Sequence, residues 1–88
     1  VDFEKILSGY RPSDIFKKYL TENPGSSGGE MGMDFFAAFP EVDRSFQSVI
    51  WNWKGAIKKR RPGISDEVFD KETIICLKEA GYFVLKDK

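Results

Sequence analysis

Apolar side chains recur along this chain three and four positions apart, the spacing that gathers them on one face of a helix. Phe3, Ile6, Leu7 and Tyr10 make the first such face, ended by Gly9 and Pro12. Ile15, Phe16, Tyr19 and Leu20 make the second, which opens at Ser13 as an N-cap. Asn23 stops it, because a residue before proline is pushed out of the α region. Met31, Phe35, Ala38 and Phe39 form the third face, ended by Pro40, and Ser27 with Glu30 ahead of it matches a capping box. Asp43 is placed to cap a fourth and longest segment, predicted to run over 43–61 and to stop at Pro62-Gly63. Ser65 caps a fifth, with Asp66 and Glu67 in the first turn, where the helix dipole favours acids. Ile64 and Phe69 occupy the positions of a hydrophobic staple, and Gly81 suits a left-handed C-terminal cap. Residues 82–85, YFVL, read as a short strand or as an extended tail on the bundle.

This pattern predicts a single all-α domain over residues 1–88. It is a compact bundle of four to five helices with a short extended C-terminal segment. Its expected core is Phe3, Ile6, Ile15, Phe16, Tyr19, Leu20, Phe35, Phe39, Phe46, Ile50, Trp53, Ile57, Phe69 and Leu77. A chain of 88 residues is small for a stable core, but eight Phe, three Tyr and two Trp supply large buried areas. The glycine-rich stretch 23–29, NPGSSGG, reads as a connector. It lacks the GK[ST] ending of a phosphate-binding loop.

The fourth segment raises a question, because Trp51 and Trp53 stand two places apart and cannot share a helix face. At about 100° per residue, Phe46, Val49, Ile50, Trp53 and Ile57 form one apolar stripe. Trp51 then falls among Arg44, Gln47, Lys54 and Lys58 on the opposite side. Charge sharpens the contrast. The chain is neutral overall, with 14 basic and 14 acidic side chains. Residues 54–61 hold Lys54, Lys58, Lys59, Arg60 and Arg61 with no acid, while the segments on either side are net acidic. Trp51 is expected either to pack beneath another element or to stand out as an anchor on a cationic face.

Two binding functions follow from the exposed alternative. In the first, the second to fourth helices form a helix-turn-helix-like unit that binds nucleic acid. Arg44, Gln47, Ser48 and Trp51 would face the groove, and Lys54, Lys58, Lys59, Arg60 and Arg61 would contact phosphates. Glu41, Asp43 and Pro40 at the leading end count against this arrangement. In the second, Trp51 anchors a protein-interaction patch that receives an acidic protein surface or another copy of the chain, with Met33 and Phe36 adding apolar area. The basic run also has a bland explanation, since cations complement the C-terminal end of a helix.

The remaining chemistry points away from catalysis. There is no His, which removes the commonest general base and metal ligand. The carboxylates Asp66, Glu67, Asp70 and Glu72 suit a helix start and a solvated face, and they lack the pattern of a calcium loop. The single cysteine, Cys76, lies on an apolar face without a cationic neighbour, as a structural thiol does. No enzyme activity, cofactor, metal or small-molecule substrate is expected. No apolar run reaches the roughly 20 residues of a membrane span and no secretory signal is visible, so the expected location is cytoplasmic.

Overall fold

The computed structural model describes residues 2–55 and 63–83, and these form an all-α bundle. Phe3–Ser8 is a 3₁₀ turn, followed by helices α1 (Pro12–Glu22) and α2 (Gly28–Ala38). A second 3₁₀ turn, Arg44–Phe46, runs directly into α3 (Gln47–Asn52), and α4 (Asp66–Glu79) completes the order. No strand is present among the described residues. Trp53 and Ile64 form one isolated parallel bridge.

Local chemistry explains most helix ends. Ser27 and Glu30 make the complete capping box, with Glu30 N donating to Ser27 Oγ at 3.2 Å and Ser27 N donating to Glu30 Oε1 at 2.9 Å. Asp43 accepts from Ser45 N, and Ser65 Oγ accepts from Val68 N. After α4, Gly81 takes φ 95°. Its N–H donates to Lys78 O, and Tyr82 N–H to Leu77 O, the paired bonds of a Schellman ending. One start differs from expectation. Pro12 does not simply close the first segment; it is the first residue of α1, where its missing N–H costs nothing. Ser13 lies inside the helix, and its N–H and Oγ donate to Asp70 on α4 at 2.7 and 3.2 Å.

The core is aromatic. Phe16 meets Phe3, Phe35, Trp53 and Phe69, and Phe35 meets Phe3, Phe36, Phe39 and Phe46, all at ring-centroid distances between 5.0 and 5.9 Å. Of the expected core, all are buried except Leu20, which is half-buried against the cluster, and Ile57, which lies outside the described residues. Met31, Phe36 and Val42 join them. Tyr82 packs edge-on against Phe39 and its Oη accepts from Glu41 N, so the residues after α4 form a turn through Phe83. The rest of the expected C-terminal segment lies outside the described residues.

The predicted 43–61 helix is corrected. It ends at Asn52, and α4, with 14 residues, is the longest helix described. Trp53 adopts extended backbone, φ −70° and ψ 131°. Its indole stacks on Phe69 at 4.6 Å and 17°, and Nε1 donates to Asp66 Oδ1 at 2.9 Å. Lys54 N donates to Ile64 O and Ile64 N to Asn52 O, so backbone bonds to a distant segment replace the next helical turn. Burial of a large indole with its polar edge satisfied outweighs the continuing helical period.

Candidate functional site

The α2–α3 pair carries the residues singled out by the sequence. Trp51 lies against Gly28, Gln47 against Gly32 and Arg44 against Phe36, so residue numbers fall on one helix as they rise on the other. Where they touch, α2 and the 3₁₀ turn with α3 therefore run in opposite directions, as in an αα-hairpin. In the predicted helix-turn-helix-like arrangement α3 is the recognition helix, and at six residues it is short for that role.

The close approach depends on two glycines four positions apart. A Cβ at Gly28 would stand 2.4 Å from Trp51 Cδ1, and one at Gly32 would stand 1.8 Å from Gln47 Oε1. Gln47 and Trp51, themselves four apart, sit in these two hollows. The stretch that reads as a connector thus leads into a packing surface. Gly28 and Gly32 were missed as functional neighbours of α3, although small residues four apart facing large residues four apart are a legible signal.

Five of the nine predicted site residues lie among the described residues, and each has a definite place. Gln47 is half-buried, and its Nε2 donates to Gly28 O at 3.1 Å, which commits part of the amide to holding the hairpin together. Ser48 is exposed, and its Oγ donates to the Ser45 carbonyl. Arg44 is exposed, with its guanidinium 4.6 Å from the centre of the Phe36 ring. It has no ion pair among the described residues. Phe36, expected as added surface, is instead only 7% exposed, whereas Met33 is 73% exposed. Trp51 is 57% exposed: one edge rests on α2, the rest faces outward, and its Nε1 has no acceptor among the described residues. Lys54 is exposed just beyond α3, and its charge helps hold Asp66 ionised. Lys58, Lys59, Arg60 and Arg61 lie outside the described residues.

A groove of about 590 Å³ runs between the helices on this side. Met33, Phe36, Ala37 and Pro40 line it from α2 and the turn beyond, Arg44 and Gln47 from the other wall. Trp51 stands one turn further along the same row of α3. The surface is thus apolar in the middle, cationic at the Arg44 end and aromatic at the Trp51 end. The described residues carry eight basic and thirteen acidic side chains, and among them Arg44 and Lys54 are the predicted cations that stand here.

Other candidate groups have structural duties. Asp66 accepts from Lys17 Nζ at 2.6 Å and from Trp53, and these bonds lower its pKa below the ordinary value. Asp70 accepts from Arg11 Nε at 2.9 Å and from Ser13, tying α4 to the start of α1. Two of the four acids assigned to a helix start and a solvated face therefore bridge elements, while Glu67 and Glu72 are exposed. The Cys76 thiol is pushed up to about 12, first by burial and then by Glu79 and Glu72. Among the described residues, no group of three or more His, Cys, Asp or Glu side chains could hold a metal ion, and no helix is long and apolar enough to cross a membrane.

Comparison with protein-family models, curated proteins and solved structures finds no match to this chain.

Proposed function

We propose that this chain is a non-enzymatic protein-interaction module whose contact surface is the outer side of the α2–α3 hairpin. Trp51 and Met33 are its anchors, and Arg44 is its charged rim. The observation that carries the reading is the exposure of two large apolar side chains beside an apolar groove that the domain itself leaves unfilled. Large side chains of this kind, desolvated by a partner, supply most of the energy of a protein interface. Met33 stands too far into solvent to enclose a small molecule, and suits a partner surface that covers it. Nucleic-acid binding would draw on cations for its affinity, and the described part of this face offers Arg44 and Lys54 in a chain that is neutral overall.

Selection of a random peptide library on the immobilised chain tests the reading. Selected peptides are expected to compete with one another, and to lose binding to Met33→Glu and Trp51→Ala chains that keep wild-type circular dichroism. A library that returns no such ligand, together with labelled DNA or RNA shifted at low salt and released steeply as salt rises, overturns it.

A further inference from the structure

The two ends of the hairpin face are unlike each other, and each lacks what the other offers. At one end the Arg44 guanidinium covers Phe36 with one side and has no carboxylate partner among the described residues. At the other end the Trp51 indole rests on Gly28 by one edge and leaves its remaining surface open. Seven positions separate them, about 11 Å along the helical rise, with the apolar groove and Met33 alongside. An exposed cation and an exposed indole attract one another.

We propose that the occupant of this surface is a second copy of the chain, related by a two-fold axis passing near Gln47. The proposal rests on the protein-interaction reading and names the partner. Rotation by half a turn exchanges the two ends of α3. Arg44 then covers the partner's Trp51, and Trp51 receives Arg44 of the partner subunit. Each Met33 enters the groove opposite, where a thioether packs well against aromatic rings. Lys54 is exposed at the Trp51 end as well. The two contacts are equivalent, so the assembly closes at two copies and leaves the face covered on both. The surface is built on helices of 11 and 6 residues, a small platform, so the dimer is expected to be weak.

Sedimentation of the full chain from about 1 µM to about 1 mM tests this. The mass is expected to rise from the 10.1 kDa of one chain towards twice that value. Arg44→Ala, Trp51→Ala and Met33→Glu are each expected to raise the midpoint at least about tenfold. Val68→Glu, on the exposed side of α4, is expected to leave it unchanged. Mixing Arg44→Ala with Trp51→Ala chains is the decisive measurement. A two-fold pairing restores one of the two Arg–Trp contacts in the mixed dimer, so the mixture associates more tightly than either variant alone. A chain that stays at the monomer mass throughout, or an association that Val68→Glu abolishes and Met33→Glu spares, overturns the dimer. A monomeric chain that still binds selected peptides at the groove overturns the dimer alone; one that binds none overturns both the dimer and the interaction reading. Met33→Glu changes a side chain 73% exposed, so it remains informative even if Trp51→Ala fails to fold.

Discussion

The indole of Trp51 lies on Gly28, so close that a single added carbon would stand 2.4 Å from Cδ1. That contact seats one edge of the ring on α2 and leaves its remaining face outward. Gly28→Ala is therefore expected to lose about 1–3 kcal/mol by overpacking. Trp51→Ala in the same chain removes the clash, so the double variant should be more stable than additivity predicts by at least about 1 kcal/mol. Urea unfolding of the four chains measures the coupling. A coupling near zero would mean that the indole turns away freely and that the glycine does not set its position.

Two tryptophans two positions apart should differ sharply in what they hold. Trp53 is fully buried, stacked on Phe69 and bonded to Asp66, so Trp53→Ala is expected to cost about 3–5 kcal/mol. Trp51 is more than half exposed, and Trp51→Ala is expected to cost less than about 1 kcal/mol. Equilibrium unfolding of the single variants separates them. Equal losses would place Trp51 in the core and remove the binding face.

These contrasts show which parts of the fold were written locally. Ser27 with Glu30, Asp43, Ser65 and Gly81 each satisfy backbone groups within a few residues, so their roles could be read from short spacings. The inward position of Phe46, Ile50 and Trp53 was also legible from period. The end of α3 was not, because an extended residue directly after a helix can still point inward. What stops the helix is the pairing of Trp53 and Lys54 with Ile64 and the stacking on Phe69, all contacts between distant segments. Phe36 misled for a related reason. Its angle around α2 points it away from Phe35's side, but Arg44 from another element covers it. The outward half of Trp51 followed from its angle, while the hollow beneath it depended on glycines more than twenty positions earlier.

Asp66 makes folding sensitive to acid. Its pKa is lowered first by the bond from Lys17, then by the bond from Trp53. A carboxylate whose folded value is depressed adds stability that is fully present above its unfolded value, near 3.8, and is lost as pH falls through the folded value. Asp66→Asn removes the charge but keeps an oxygen acceptor for the indole. It is expected to cost about 1–2 kcal/mol at neutral pH, and the difference from wild type should shrink below about pH 4. Urea titrations across that range measure it. A difference constant down to about pH 2 would show that the charge of Asp66 contributes nothing.

Cys76 provides a probe of opening that needs no added label site. Its Sγ donates to the Thr73 carbonyl at 3.1 Å, and burial together with Glu79 and Glu72 pushes its pKa up to about 12. The thiolate is the reactive form, so at neutral pH the folded chain holds almost none of it. Alkylation by iodoacetamide is expected to be at least about a hundredfold slower in the folded chain than in urea. Its rate should follow the unfolded fraction when opening is fast relative to alkylation. Asp70→Ala, which removes the tie between α4 and the start of α1, should then speed alkylation in step with its loss of stability. Mass spectrometry of timed samples reads both rates. Rapid labelling of the native chain, unchanged by Asp70→Ala, would show that α4 exposes the thiol without unfolding.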